Sequence, residues 1–264
     1  MQVLRDEVTK LLEQKTIAGF VGMIETTTGA VPHMFVADKP DEIEKLTTGD
    51  VRYSLVQILR WISVRHPDEK FGIMCRACDE RAMTEMFRNS QLSMDKVHMV
   101  GIPCTEELRI ACECEDPTPK SLLFGQSTAK TWDNSDTERI DAMDSQQRLE
   151  WWSEQLGKCI KCYGCRNSCP MCFCKVCTLN DDPLVKRGEI PSEYPSFHLT
   201  RAFHMAGRCV DCGLCEEACP MDIPIRTIYR KVRLVVGELT NFWPGKSKGK
   251  SPLAELGDGT FPIQ

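Results

Sequence analysis

The 264-residue chain has no apolar run near the roughly 20 residues a helix needs to cross a bilayer. Its opening, MQVLRDEVTKLLEQK, intersperses charges with apolar Val3, Leu4, Val8, Leu11 and Leu12. That is an amphipathic helix, without a secretory h-region or a twin-arginine pair, so a cytoplasmic protein is expected. Positive charge is not in excess. Lys and Arg number 33 against 38 Asp and Glu, for a net charge of −5 and a pI of about 5.7. A nucleic-acid backbone is therefore not an expected partner. Gly19, Gly22 and Gly29 do not spell the dinucleotide fingerprint G-x-G-x-x-G, and no phosphate loop or nucleophile–base pairing emerges. The five histidines, His33, His66, His98, His198 and His204, show no paired metal spacing.

What the chain has in abundance is cysteine, 16 in all. A reducing compartment does not sustain eight structural disulfides, and a chain of this length needs no such staples. Metal ligation is the better account. Cys159, Cys162, Cys165 and Cys169, followed by Pro170, spell C-x2-C-x2-C-x3-C-P, and Cys209, Cys212, Cys215 and Cys219, followed by Pro220, spell it again. In this run three thiolates cover three corners of one cubane while the fourth reaches the other cluster. One 4Fe–4S cluster is thus expected on Cys159, Cys162, Cys165 and Cys219, and the other on Cys209, Cys212, Cys215 and Cys169. Zinc usually takes two separated cysteine pairs, which this spacing fits poorly. Gly164 and Gly213 fall between ligands, where a missing Cβ lets backbone N–H groups reach sulfur. A fully ligated cubane has no open coordination site, so the pair is expected to carry electrons.

Eight cysteines remain. Cys78 follows the apolar stretch KFGIMC and precedes Asp79, read as a helix N-cap; Cys104 follows KVHMVGIP. Both would emerge at the carboxyl ends of adjacent parallel strands, where α/β sheets place ligands. With Cys112 and Cys114 of ACECEDPTP they form the candidate set for a third cluster, zinc being the competing occupant. Cys75, Cys172, Cys174 and Cys177 are left as a candidate fourth site, or hold nothing.

The fold class expected is α+β. Residues 1–116 read as an α/β domain with a small, mostly parallel sheet, and residues 117–145 as a linker. Residues 146–240 read as a bacterial-type ferredoxin domain with two 4Fe–4S clusters, and 241–264 as an extended tail for partner contact. In the first domain AGFVGMIE and AVPHMFVA are strands joined by a polar turn. Thr48 or Asp50 is the expected cap of the helix through VRYSLVQILRWISVRH. Lys231 and Arg233, on the basic helix IRTIYRKVRLVVGEL, are expected on a solvated face or a docking patch.

CDERAMTEMFRNSQLSMDKVHMVGIPC, CECEDPTP, KCYGCRNSCPMCFCKVC and FHLTRAFHMAGRCVDCGLCEEACP occur in this order along the chain. Together they resemble the iron–sulfur beta subunits of deazaflavin-dependent hydrogenases and formate dehydrogenases, and their heterodisulfide-reductase-associated relatives. The resemblance covers roughly residues 50 to 225. It implies a cytoplasmic component of a multisubunit complex in an anaerobe, passing electrons between partner subunits of hydrogenase, formate dehydrogenase or heterodisulfide-reductase-like type. Some members of that family bind FAD and reduce the deazaflavin themselves. A flavin-containing subunit that reduces such a soluble acceptor is accordingly the alternative expectation, although no FAD site is assigned here.

Overall fold

The structure is a computed structural model that describes residues 1–49, 51–125, 133–180, 183–186 and 188–253. The chain forms two compact units. The first comprises residues 1–134, 163–173 and 212–219, and the second residues 135–162, 174–211 and 220–264.

In the first unit, α1 (Gln2–Glu13) buries Leu4, Val8, Leu11 and Leu12, which recur at helical spacing on one face. Strands β1 (Gly19–Thr26) and β2 (Gly29–Phe35) make an antiparallel hairpin, since a two-residue connection is far too short for a crossover. The short α2 (Pro40–Ile43) leads to β3 (Leu46–Thr47), antiparallel to β1. Helix α3 (Leu55–Arg65) follows, then β4 (Phe71–Cys75), α4 (Ala77–Arg88), β5 (Val97–Gly101) and α5 (Glu106–Cys112). β1 pairs with β4 and β4 with β5 in parallel, so the sheet order is β2-β1-β4-β5 with β3 beside β1. The sheet is therefore mixed, its parallel part confined to β1, β4 and β5. The core mixes aliphatic, aromatic and sulfur-bearing side chains: Phe20, Val21 and Met23 of β1, Leu55 and Leu59 of α3, and Met83 and Met86 of α4 are at most 1% exposed.

The cap expected for α3 differs. Its N-cap is Ser54, and the Thr48 carbonyl instead accepts from Arg76 Nη2 at 2.7 Å. Asp50 lies outside the described residues.

Beyond residue 134 the helices are, in order, α6 (Ser135–Asp141), α7 (Ser145–Gly157), α8 (Gly164–Asn167), α9 (Ser196–Met205), α10 (Leu214–Glu217) and α11 (Ile225–Thr240). Of these, α8 and α10 belong to the first unit. Helix α6 falls within the stretch read as a linker. Asp144 starts α7 through a reciprocal cap: its carboxylate accepts from Gln147 N at 2.9 Å, and Gln147 Oε1 accepts from Asp144 N at 3.0 Å. In the second unit α9 and α6 pack on α11. The described part of the tail, 241–253, returns against α11. The Trp243 ring covers Gly237 so closely that a Cβ there would lie 2.5 Å from it, and Phe242 and Ser251 are buried.

Arg233 departs from its expected place on a solvated face. It is 1% exposed, with its guanidinium 5.1 Å from the Trp243 ring centroid. Helical spacing makes this so: Arg226, Arg230 and Arg233 share the inward face of α11, while of its basic residues Lys231 alone points outward, where it pairs with Asp141 at 2.5 Å. Among the described residues no helix is long and apolar enough to cross a membrane.

Candidate metal centres

The two cysteine runs fold into the same local structure. Two residues after the first cysteine of each run the backbone is left-handed, at Lys161 (φ 50°) and Asp211 (φ 52°). Two residues later it is left-handed again, at Tyr163 (φ 59°) and Gly213 (φ 77°). The next residue opens a four-residue helix, α8 in one run and α10 in the other, carrying Cys165 and Cys215 respectively. The fourth cysteine follows the helix in both: Cys169 N donates to Arg166 O at 3.3 Å, and Cys219 N to Glu216 O at 2.9 Å. Alternating left- and right-handed residues turn successive N–H groups into a concavity suited to an anion. One such donor is already in place, Lys161 N at 3.4 Å from Cys159 Sγ.

The glycine expectation is corrected by this repeat. The position equivalent to Gly213 is Tyr163, and Gly164 is the first helical residue. Lys161, Tyr163 and Asp211 each adopt positive φ with a side chain attached, at a cost of about 1–3 kcal/mol apiece. Within the first unit α8 packs on α10, with Ser168 Oγ donating to Leu214 O at 3.1 Å.

Helix α3 holds the segment around Cys169. Gln57 Nε2 lies 3.0 Å from Cys169 O and 3.1 Å from both Pro170 O and Cys172 O. One turn on, Arg60 Nη2 donates to Phe173 O at 3.2 Å.

In the second unit the left-handed residues carry opposite charges. Lys161 Nζ pairs with Glu193 at 3.1 Å and donates to Lys186 O at 2.6 Å. Asp211, 4% exposed, accepts from Arg226 Nε at 2.7 Å and pairs with Arg230 at 3.3 Å. Burial pushes the Asp211 carboxyl up, but Arg226, Arg230 and Arg233 outweigh it and hold the group below its ordinary value.

A second cysteine cluster lies wholly in the first unit. Parallel β4 and β5 end side by side, Cys75 opposite Gly101, and release the chain at the same edge of the sheet. Cys78 is the second residue of α4, and Cys104 follows β5. The N-cap of α4 is Arg76; Asp79, expected there, sits three residues in and accepts from Arg76 N at 2.9 Å. Beyond Cys104, α5 starts at a Thr105 cap and ends at Cys112; left-handed Glu113 (φ 44°) then turns Cys114 inward. The returning segment is pinned from both sides. A Cβ on Gly101 would lie 2.5 Å from the Ser121 backbone, so only glycine permits that approach. Buried Glu80 accepts from Ser121 N at 2.7 Å.

Cys78, Cys104, Cys112 and Cys114 thereby feel one another. Burial, with a contribution from Asp79, pushes the Cys78 thiol well up, against the pull of Arg52 and Arg81. Burial raises Cys104 to about 11, with Cys114 and Cys112 adding to the effect and Arg76 opposing it. Guanidiniums touch the sulfurs: Arg52 Nη1 is 3.1 Å from Cys112 Sγ, and Arg81 Nη2 is 3.6 Å from Cys114 Sγ. Dense thiols that resist ionisation alone, with cations at hand, suit an anionic thiolate–metal assembly. Among the described residues no three His, Cys, Asp or Glu side chains converge to hold a single ion. A cubane, by contrast, takes each thiolate on a separate iron.

Of the remaining candidates, Cys75 is fully buried beside Asp79, Glu80 and Cys78. Cys172 belongs to the first unit, and Cys174 and Cys177 to the second. The sequence reading missed Gln57, Arg52 and Arg76. No spacing rule links these side chains, or Arg81, to the cysteine segments they meet far along the chain.

The class follows from the doubled loop and from direct comparison: residues 155–223 match the 4Fe-4S dicluster domain, which places an iron–sulfur dicluster module in this chain. The chain is also similar to the F420-dependent formate dehydrogenase subunit beta of Methanocaldococcus jannaschii. Identity is 41% over 108 residues, covering 41% of this chain and 28% of the relative. It is likewise similar to the F420-dependent formate dehydrogenase 1 subunit beta of Methanococcus maripaludis, 47% identical over 116 residues, 44% of this chain and 29% of the relative. The match thus spans less than a third of the length of either curated relative. Over that part, the likeness to iron–sulfur beta subunits carried by the motifs is supported by sequence identity.

Proposed function

We propose that the chain is an electron-transfer subunit of a cytoplasmic multisubunit oxidoreductase of an anaerobe, relaying electrons between partner subunits through 4Fe–4S clusters. In this reading Cys159, Cys162, Cys165 and Cys219 hold one cubane, and Cys209, Cys212, Cys215 and Cys169 hold the other. Cys78, Cys104, Cys112 and Cys114 hold a third. The observation that carries it is the repeated loop, with the same left-handed positions and the same short helix at the same spacing from four cysteines. When bound, the clusters supply one-electron chemistry without an open coordination site. The chain's own part is to hold thiolates, aim N–H groups at sulfur and balance charge with buried arginines. A formate dehydrogenase-type complex is the assembly that the names of the relatives favour. Hydrogenase-type and heterodisulfide-reductase-like complexes use the same relay chemistry.

Iron and sulfide analysis of anaerobically purified protein, with low-temperature paramagnetic resonance, tests the assignment. Three cubanes give about 12 irons per chain. Cys104→Ala should remove about four of them while both dicluster signals persist. Fewer than about seven irons in the intact protein would rule out the dicluster assignment itself. Any iron above three cubanes would point to the set Cys75, Cys172, Cys174 and Cys177. A yellow chromophore released on denaturation would replace the relay with a flavin-containing subunit.

A further inference from the structure

Arg52 joins the two cysteine systems of the first unit. Its Nη1 lies 3.1 Å from Cys112 Sγ and also donates to the Cys212 carbonyl, while its Nη2 pairs with Glu217 of α10. The Arg52 backbone N donates to the other Glu217 oxygen at 3.4 Å, so one carboxylate fixes both ends of the residue. The side chain is 10% exposed. A guanidinium is not deprotonated in proteins, so a fixed positive charge stands between the two cysteine systems.

We propose that Arg52 is a shared countercharge and positioning residue that couples the cluster on Cys78, Cys104, Cys112 and Cys114 to the cubane bearing Cys212, making the two successive stations of one relay. The proposal rests on the three-cluster reading. A fixed cation beside a cluster favours its reduced, more negative form, and N–H donors to sulfur act in the same direction. When one electron passes from one cluster to the other, the first is oxidised by one unit and the second reduced by one. The total negative charge facing Arg52 is then unchanged, and no proton has to follow. The guanidinium therefore supports the exchange without moving, because the environment need not reorganise between the two states. The electron itself comes from the partner subunit and leaves to another.

The test is a potentiometric titration followed by paramagnetic resonance on the full chain, wild type against Arg52→Gln, Arg52→Lys and Glu217→Gln. Iron content is measured on each. With about 12 irons retained, Arg52→Gln should make reduction of both clusters about tenfold less favourable, a fall of about 59 mV for a one-electron couple. Arg52→Lys keeps the charge but loses the planar fork, so it should fall less. Glu217→Gln removes the opposing carboxylate and should move both midpoints upward. A merely structural Arg52 would lose or broaden a signal without shifting its midpoint. Unchanged midpoints in iron-replete Arg52→Gln overturn the coupling, as does a shift in only one of the two clusters. If Arg52→Gln loses iron, Glu217→Gln decides: midpoints that do not rise overturn the proposal. About eight irons in wild type overturns the three-cluster reading instead, and the coupling with it.

Discussion

Replacing Gln57 by methionine isolates what one buried amide does for the loop that ends in Cys169. Gln57 is 4% exposed, and its Nε2 lies within 3.1 Å of three carbonyl oxygens, those of Cys169, Pro170 and Cys172. An NH2 group has two hydrogens, so at most two of the three bonds are at full strength. Oε1 is buried with no hydrogen-bond partner among the described residues, so the substitution forfeits only donors. Methionine is close in length and leaves little cavity. Two carbonyls deprived of their donor at about 1–3 kcal/mol each give a loss of about 2–6 kcal/mol. For a chain of this size 2 kcal/mol lowers the melting temperature by about 4–8 °C. Gln57→Glu should be worse than Gln57→Met, because it sets a carboxylate against the same three oxygens. The assay is loss of visible cluster absorbance on anaerobic heating at one fixed scan rate, since metal loss is irreversible and a melting point then depends on rate. Gln57→Met melting with wild type, or Gln57→Glu outlasting Gln57→Met, would show that α3 does not hold this loop.

Two further outcomes follow from buried charge in the second unit. Asp211→Asn strips the carboxylate from Arg226 and Arg230, and a buried pair broken from one side should cost about 3–5 kcal/mol. A denaturant titration read by helical circular dichroism checks this, and a loss below about 1 kcal/mol would mean that other acceptors already serve the arginines. His198 is 1% exposed, and burial together with Arg201 drives its pKa down to about 4. The unfolded chain, with a histidine pKa near 6.5, then binds more protons than the folded one between about pH 6.5 and 4. The stability from neutral His198 is complete above that window and is lost as pH falls through it, by about 1.4 kcal/mol at pH 5.5. Unfolding at pH 7.5 and 5.5 should show this drop in wild type but not in His198→Gln; the same drop in both would mean the imidazole titrates normally.

The elements read from the sequence are those with strong periodicity or a hard turn signal. The α1 face of Leu4, Val8, Leu11 and Leu12, the β1–β2 hairpin and the parallel pairing of β4 with β5 all appear as expected. Helix beginnings were harder. Ser54 and Arg76 occupy N-cap positions without a side-chain cap hydrogen bond among the described residues, whereas Thr48 and Asp79, which look like caps, serve the Arg76 guanidinium and backbone instead. Cap preference is worth about 0.5–2 kcal/mol, which a tertiary ion pair or a strand end can override. Arg233 fails for a related reason: a basic helix reads as solvated until a tail supplies Trp243 to cover it.

For the candidate metal centres, spacing points to the cysteines but not to their surroundings. The duplicated loop is legible because the same cysteine spacing occurs twice, and the backbone repeats down to its left-handed residues. What sits on that backbone is free to diverge. The same left-handed position is Lys161 in one run and Asp211 in the other, neutralised by Glu193 in the first case and by Arg226 and Arg230 in the second. These partners lie 15 to 32 residues from the loop residue they serve, and Arg52 reaches Cys212 across 160 positions. Periodicity does not encode contacts at such separations; only the folded chain brings them together. The cysteine pattern is thus local information, whereas the charged and amide side chains set around it come from the tertiary structure.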